Sequence, residues 1–234
     1  MLPQKTGHNM TGFLRHSHDM TSSTSSTNTN TATTDPRPLF ERAIATGTTV
    51  IAAVEPDQLT APTPCSEMDV RTMLGHLVGV LDRVGALGRG EDPFGVGDAS
   101  APDHGWSAAW AAAADRMAAA WSDDAVLAGP MALPWIQGTG ADVLASYFNE
   151  LTVHTWDLAV ATGQEPDWDD GVLAAALASG DFIPAEDRLA LYEEISASLG
   201  LDEVAVPFAE VVAVPDDAPA IDRLVAWNGR DPRW

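Results

Sequence analysis

The sequence predicts an all-α protein, a four-helix bundle followed by a short C-terminal extension. Three observations lead to this fold class. Alanine-rich runs favour helix over strand. Four long stretches carry apolar residues at helical spacing and are separated by segments rich in proline and glycine. The hydrophobic fraction of 45%, with eight tryptophans, is sufficient for one packed core.

Residues 1–35 are expected to be a disordered N-terminal tail. This region contains the Ser/Thr/Asn tract MTSSTSSTNTNTATTDP, which lacks hydrophobic periodicity and cannot bury enough apolar surface to offset its ordering entropy. Met20 opens this tract, so both Met1 and Met20 are candidate start sites. The folded helical domain is then expected over residues 36–234, with the C-terminal extension over about 200–234.

The first two helices are predicted from their caps and apolar spacing. Helix one is expected over about residues 36–55, with Asp35 as its N-cap. Helix two is expected over about residues 66–88, because Ser66 and Asp69 have the spacing of a capping box. Its buried stripe should consist of Val70, Leu74, Leu77, Leu81 and Val84.

The middle of the chain predicts a long connection and two further bundle helices. Residues 88–105 are rich in glycine, proline and acidic residues without a period, which is typical of a surface loop. An alanine-rich helix is expected over about residues 106–122, followed by a short extended piece within 129–140. The fourth long helix should cover about residues 141–162 and end at Gly163, a typical C-terminal glycine cap.

The C-terminal part predicts smaller elements. Two shorter helices are expected within residues 169–182 and 190–200. Residues 208–219 should be an extended segment that enters a turn, and a last short helix is expected within 220–234. No run approaches the ~18 consecutive apolar residues of a membrane span.

The charge and cysteine content exclude several classes of function. Lys and Arg total 12 against 34 Asp and Glu, a formal net charge of -22, which repels nucleic acids and anionic membranes. We therefore expect neither as a partner. The single cysteine, Cys65, excludes an intramolecular disulfide framework and Cys-rich zinc sites, so the cytoplasm is the expected compartment.

A polar cluster on the fourth helix is the strongest candidate for chemistry. Helical spacing places Glu150 and His154 one turn apart, with Asp157 close by on the same face. An apolar stripe lies beside them, so these side chains should sit at the edge of the bundle interior. Their partners must be solvent, neighbouring side chains or a metal ion.

His76 on the second helix is a candidate third ligand, because the same angular count places it on the flank of that helix's apolar stripe. With Glu150 and His154 it would form a set of two histidines and one carboxylate, as in helical-bundle metal sites. The spacing alone also fits a solvated Glu–His pair and a histidine that only packs. Both interpretations stay open from the residues alone.

Further residues have two interpretations each. Asp157 either accepts a hydrogen bond from a ligand imidazole or pairs with a neighbouring cation. Arg83 either contacts an anionic substrate or is a solvated surface arginine. Trp135 and Trp156 either line a pocket or belong to the core. Cys65 is expected to be a packing residue rather than a reactive thiol.

Three separated segments, in this order, resemble one known family. They are TPCSEMDVRTMLGHLVG, NELTVHTWDLAVATG and the closing VPDDAPAIDRLVAWNGRDPRW. The chain is similar to the mycothiol-dependent maleylpyruvate isomerase N-terminal, metal-binding family of the DinB-like superfamily, in its small stand-alone actinobacterial form. The resemblance covers about residues 37–234.

The resemblance implies a DinB-like four-helix bundle that holds one divalent metal, commonly zinc, through His76, Glu150 and His154. Two histidines and one carboxylate also suit iron(II), nickel or manganese. The family implies that the metal binds a low-molecular-weight thiol, mycothiol, as thiolate and that the enzyme uses it in a transfer or isomerisation on a small electrophile. The alternative is a non-catalytic metal-binding or structural bundle.

Two departures from the family pattern bear on this expectation. The isomerase itself has a second, sterol-carrier-like domain that contributes to activity, and this chain is too short to contain it after the bundle. Met68 stands where the family usually has tryptophan, which leaves the ligand set unchanged. An exposed bundle face could support a homodimer.

Overall fold

The computed structural model describes residues 35–180, 183–200, 206 and 208–234. Four long helices, α1, α2, α3 and α5, form a bundle in which α1 and α2 each pack against α3 and α5. The predicted all-α bundle is therefore confirmed. The elements of the described residues are α1 (Arg37–Ala52), α2 (Val70–Gly88), α3 (Trp106–Ala120), α4 (Asp124–Ala128), β1 (Pro130–Leu133), β2 (Ile136–Thr139), α5 (Gly140–Ala161), α6 (Asp170–Ser179), α7 (Arg188–Leu199) and α8 (Ala220–Trp227).

The start of α2 differs from the prediction. Asp69, not Ser66, is the N-cap, and its carboxylate accepts a hydrogen bond from the backbone N–H of Thr72. The backbone of Asp69 is extended and forms an isolated β-bridge with Pro62. Ser66 therefore lies before the helix, because the cap nearest the apolar run is the one that can reach the free N–H groups.

The bounds of α1 also differ from the prediction. The N-cap is Pro36, whereas Asp35 accepts hydrogen bonds from the backbone N–H and the guanidinium of Arg37. The helix ends at Ala52 rather than near Glu55. A separate 3-10 turn at Pro56–Gln58 follows, and Glu55 caps it with a capping box to Gln58.

The helix that carries the polar cluster agrees with the prediction within one residue at each end. A capping box between Thr139 and Asp142 starts α5. Gly163 follows its C-cap with a φ of 70°, the left-handed conformation predicted for it. The antiparallel hairpin β1–β2 precedes α5, with Leu133 paired to Ile136 at its turn.

The predicted surface loop between α2 and α3 packs tightly against α2. The backbone N–H of Ala99 donates to the carbonyl of Gly75 at 2.9 Å. A Cβ at Gly75 would lie 2.5 Å from the Ala99 carbonyl oxygen, so only glycine permits this approach. The loop thereby places Asp98 beside α2.

The C-terminal elements cover one side of α5. Helix α6 packs on α5 and α1, and α8 packs on α6 and α5. The described residues of 208–219 form no regular element, and the N–H of Val212 donates to the carbonyl of Ala226.

The predicted tail lies outside the described residues for positions 1–34. Among the helices described here, none combines the length and apolar character that crossing a bilayer requires.

The hydrophobic core lies between the four bundle helices. Its large members are fully or almost fully buried, and they come from every bundle helix. The predicted stripe of α2 is part of it. The most deeply buried large side chains include Phe40, Met73, Leu74, Leu77, Leu81, Trp110, Trp121, Leu144, Phe148 and Leu151.

Candidate metal centre

Two helices bring His76, Glu150 and His154 together. Each offers one potential ligand atom, and the three atoms all lie within 4.8 Å of one another. Nε2 of His76 is 3.0 Å from Oε1 of Glu150, and Nε2 of His154 is 3.7 Å from the same oxygen. The two imidazole rings meet edge to face, with centroids 4.7 Å apart. The carboxylate thus lies between two imidazoles.

His154 is held so that one ring nitrogen stays free. Its Nδ1 lies 3.0 Å from Oδ2 of Asp157, which is fully buried. A carboxylate can only accept here, so Nδ1 carries a proton and Nε2 is the ring nitrogen that faces Glu150. Among the residues that the structure describes, Nε2 has no hydrogen-bond partner although it is buried.

Asp157 is held in turn by Arg230, which follows α8. The guanidinium donates from Nε and Nη2 to the two carboxylate oxygens, at 3.2 and 3.0 Å. Phe208 packs on both His154 and Arg230. Its ring stacks on the His154 ring, with 5.8 Å between the two centroids, and the Arg230 guanidinium lies 5.4 Å from the centroid of the Phe208 ring. The orientation of His154 is therefore fixed by hydrogen bonds at one edge and by an aromatic ring on one face.

His76 is held by the loop between α2 and α3. Its Nδ1 lies 3.4 Å from Oδ1 of Asp98 and 3.4 Å from Nη2 of Arg83. Burial by itself would lower the pKa of His76, but hydrogen bonds to the carboxylates of Asp98 and Glu150 outweigh it and raise the pKa to about 9. His76 is therefore protonated at neutral pH when no cation replaces the proton.

Glu150 is ionised in this setting. Burial opposes its ionisation, but the neighbouring imidazoles of His154 and His76 and the charge of Arg83 lower its pKa to about 2. The pKa of Asp157 is also lowered, because its bonds with His154 and Arg230 outweigh the effect of burial. Both carboxylates thus remain anionic over the physiological range.

The geometry of the three side chains suits a small divalent cation. With metal–ligand bonds of roughly 2.0–2.2 Å, neighbouring ligands of a tetrahedral zinc lie about 3.3 Å apart. The observed separations of 3.0 and 3.7 Å from the shared Glu150 oxygen bracket that value. Within the described part of the chain, Nε2 of His154 lacks a hydrogen-bond partner, which is a further sign of fit because a buried polar atom without a partner is costly. Whether these residues hold a metal stays a prediction.

The structure decides between the alternatives for several other residues. Asp157 contacts the imidazole of His154 and also pairs with Arg230, so both of its expected roles occur together. Arg83 is not a solvated surface arginine, because its guanidinium contacts Asp98, the carbonyl of Val96 and His76.

The two tryptophans and the cysteine differ in burial. The side chain of Trp156 is buried, with 5% of its surface exposed. Trp135, in the turn of the hairpin, is partly buried and stands edge-on to Phe94 and Tyr147. Cys65 packs against the hydrophobic core, and burial raises the pKa of its thiol. Cys65 therefore has the properties of the packing residue that was expected.

Three important contacts of the centre were missed from the sequence, namely those of Asp98, Phe208 and Arg230. Asp98 stands in a stretch without periodicity, and Phe208 precedes an irregular segment, so neither position carries a local signal. Arg230 lies in the closing segment that already supports the family resemblance, and a buried partner for Asp157 could have been sought there.

Comparisons with known proteins identify the family of the chain. The sequence profile of the mycothiol maleylpyruvate isomerase N-terminal domain matches residues 40–159, which is half of the chain and includes all three candidate ligands. Two uncharacterized Mycobacterium tuberculosis proteins, MT0763 of strain CDC 1551 / Oshkosh and Rv0738 of strain ATCC 25618 / H37Rv, are each 29% identical over 201 residues, covering 85% of this chain and 100% of the relative. No solved structure matches the chain. The chain belongs to the mycothiol maleylpyruvate isomerase N-terminal domain family.

Proposed function

We propose that this protein binds one divalent cation, most suitably zinc, through His76, Glu150 and His154, and uses it for a thiol-dependent transfer or isomerisation. The proposed partners are a low-molecular-weight thiol such as mycothiol and a small electrophile. The observation that carries the proposal is the buried Nε2 of His154, which has no hydrogen-bond partner among the described residues and faces Glu150. The expected cytoplasmic location and the homodimer stay predictions.

The chain's own residues prepare the ligands. Asp157 holds the proton of His154 at Nδ1, so that Nε2 is available as a ligand without a prior proton shift. Glu150 is already ionised and supplies one negative charge. His76 must release a proton before it can bind a cation, because its pKa is about 9. Phe208 covers one face of the His154 ring and limits the access of water there.

A divalent cation held by His76, Glu150 and His154 would stabilise the anionic form of an entering thiol and so supply a nucleophile at neutral pH. The protein then needs no reactive cysteine of its own. Burial raises the pKa of the Cys65 thiol, which disfavours the thiolate and agrees with the absence of a catalytic role for this residue. Asp98 keeps His76 in place from the opposite side, and Arg83 donates to Asp98.

A second candidate function is a non-catalytic bundle in which the three residues either hold a metal for stability or only form a polar network. The hydrogen bond of 3.0 Å between His76 and Glu150 favours it, because this contact satisfies both groups without an ion. It leaves Nε2 of His154 without a partner, however, and that is why we prefer the metal site.

Metal analysis of protein purified without chelators tests the proposal. We expect close to one divalent ion per chain in the wild type and loss of most of it in His154→Ala. The matched control is His104→Ala, since His104 is exposed in the loop before α3. Equal metal content in His154→Ala and the wild type would show that the site is wrongly assigned.

A second measurement separates the two functions. Mycothiol is titrated into cobalt-substituted protein while the absorption of a thiolate-to-metal charge-transfer band is followed. We expect the band to appear and to saturate at one thiol per metal. If cobalt binds but no band appears, the non-catalytic function is the correct one.

A further inference from the structure

A second set of buried polar atoms without partners lies on α7, away from the three candidate ligands. Arg188, the first residue of α7, is 1% exposed, and Tyr192, one turn later, is 7% exposed. Within the described ranges, neither Nη2 of Arg188 nor Oη of Tyr192 has a hydrogen-bond partner. Buried donors without an acceptor cost about 1–3 kcal/mol each, so such a pair requires an explanation.

Among the described residues, no carboxylate pairs directly with the Arg188 guanidinium, and the Glu210 carboxylate stabilises its charge only from a longer distance. Its Nε and Nη1 donate to the carbonyls of Pro184 and Ala209, at 2.7 and 2.5 Å, and the group lies 5.2 Å from the ring centroid of Trp227. The nearby Glu210 carboxylate accepts instead from the backbone N–H of Arg188, at 3.2 Å. Carbonyl dipoles and an aromatic face offset a buried positive charge only in part.

Tyr192 adds a neutral donor to this charge. Burial raises its pKa to about 12, although Arg188 and the backbone N–H of Phe208 act in the opposite direction. The hydroxyl is therefore protonated at neutral pH. Its neighbours Arg188 and the Phe208 N–H are donors too, so the surroundings of Oη lack an acceptor among the described residues.

We propose that Nη2 of Arg188 and Oη of Tyr192 form a binding site for the carboxylate group of a small organic acid. A carboxylate presents two acceptor oxygens in a plane, one for each donor, and its negative charge offsets the guanidinium. A water molecule or a neutral amide would fill the hydrogen bonds but would add nothing to the partial compensation of the charge by Glu210. The acid is bound without any covalent step.

This site goes beyond the proposed metal-dependent function and shares no residue with it. The two sites are neighbours, because Phe208 stacks on His154 with its ring while its backbone N–H lies next to the Tyr192 hydroxyl. In a protein with a net charge of -22, long-range attraction does not bring an anion here. Binding must therefore depend on the local buried cation.

The test measures the binding of acetate and formate to the full chain after metal has been removed with a chelator. Thermal unfolding and isothermal titration calorimetry are recorded with each acid, with sodium chloride at the same ionic strength and with acetamide as the neutral analogue. We expect the unfolding temperature to rise with the logarithm of the acetate concentration beyond the rise with chloride, and no effect of acetamide.

Variants locate the effect. Tyr192→Phe removes only the hydroxyl and should weaken acetate binding by about tenfold, since a hydrogen bond to a charged group is lost. Tyr147→Phe, on α5, is the matched control and should bind as the wild type does. Arg188→Met should abolish the response that is specific for acetate. If Arg188→Met does not fold, Tyr192→Phe decides alone.

Equal responses to acetate and chloride, or wild-type binding of acetate by Tyr192→Phe, would overturn the proposal and leave water as the partner of these donors. The outcome is separable from that of the metal site. Because the protein is free of metal throughout, acetate binding by the wild type and by Tyr192→Phe can be compared whether or not the proposed function is correct.

Discussion

Asp157 controls the ring of His154 and is itself neutralised by Arg230, so three residues act as one unit at this point. The side chain of Asp157 is fully buried. A change at this carboxylate therefore has two separate effects. It releases the ring of His154, and it removes the buried carboxylate that pairs with the Arg230 guanidinium.

We predict that Asp157→Asn lowers metal affinity by about 10–100-fold, the range typical for the loss of a carboxylate that orients a histidine ligand. It should also lower the free energy of unfolding by about 3–5 kcal/mol, because a buried ion pair loses one partner. Competitive metal titration and urea denaturation measure the two effects.

The matched control is Asp82→Asn, which makes the same chemical change at an ion pair with Arg116 on the protein surface. Exposed pairs contribute about 0–1 kcal/mol, so this variant should retain stability and metal affinity. If both variants behave alike, Asp157 does not orient a ligand.

The pKa of His76 predicts a pH dependence. Because this pKa is raised from the ordinary 6.5 to about 9, the contribution of His76 to stability is fully present below pH 6.5 and is lost as the pH rises to about 9. We expect the unfolding temperature of metal-free protein to fall across this range through His76. The variant His76→Gln should lack that part of the decline.

Metal binding should show the opposite trend at the same residue. A cation competes with the proton on His76, so its affinity should rise by about tenfold per pH unit below pH 9. Competition with a chelator of known affinity at pH 6, 7 and 8 measures the slope. A flat profile would mean that His76 is not a ligand.

The candidate ligands themselves could be predicted from the sequence, whereas the residues that hold them could not. His76, Glu150 and His154 stand on long, strongly periodic helices, so their faces follow from the spacing. Arg230 lies 73 positions from Asp157, and Asp98 reaches His76 from a loop. Contacts of this kind depend on how elements dock, and no local pattern records that.

Among the elements, the loop before α3 has the greatest influence on the centre. It was predicted as a surface connection, but glycines at one face of α2 allow it to approach the helix closely. Gly79 repeats the arrangement of Gly75 one turn later, where a Cβ would lie 3.1 Å from the Cα of Asp98. The periodic pattern of α2 does not reveal this role, since glycine in a helix is ordinarily only a weak helix former.

We predict that Gly75→Ala displaces this loop and lowers the free energy of unfolding by about 1–3 kcal/mol, the usual cost of overpacking. Its Cβ would lie 2.5 Å from the Ala99 carbonyl oxygen, a backbone atom that cannot rotate away. Asp98 should then leave His76, and the pKa of His76 should fall. Urea denaturation and histidine NMR titration measure these two changes.

Gly97→Ala is the control for this prediction, because a Cβ there would have no neighbour within 4 Å. It lies in the same loop and should alter neither quantity. If the pKa of His76 in Gly75→Ala stays as high as in the wild type, the loop tolerates the extra methyl group without moving.

The helix ends illustrate where local rules suffice. The capping box of Thr139 and the glycine at 163 delimit α5 almost where the sequence placed it. At α2 two residues, Ser66 and Asp69, both satisfy the capping pattern. The extended backbone of Asp69 and its bridge to Pro62 decide between them, and that bridge is a tertiary contact.

For the molecule as a whole, the dominant property is its negative charge. With 34 acidic against 12 basic side chains, self-repulsion opposes the compact state at low ionic strength. This charge follows from the sequence alone. The effect of this charge on stability depends on the ionic strength of the solution.

We predict that sodium chloride stabilises the protein, since added ions shorten the Debye length from about 30 Å at 0.01 M to about 10 Å at 0.1 M. Each gain of about 1 kcal/mol should raise the unfolding temperature by about 2–4 °C for a chain of this size. Calorimetry between these concentrations measures the effect. An unfolding temperature that is independent of salt would show that the acidic groups do not repel one another appreciably.

Arg230 and Phe208 lie outside residues 40–159, the segment that matches the family. An excised piece with those bounds would carry every candidate ligand, yet the imidazole of His154 would lose its aromatic cover and Asp157 its cation. The matched segment is therefore not a self-sufficient module. Any protein that joins it to a different C-terminal region must supply an equivalent arginine from its new neighbour, or accept a poorly oriented ligand.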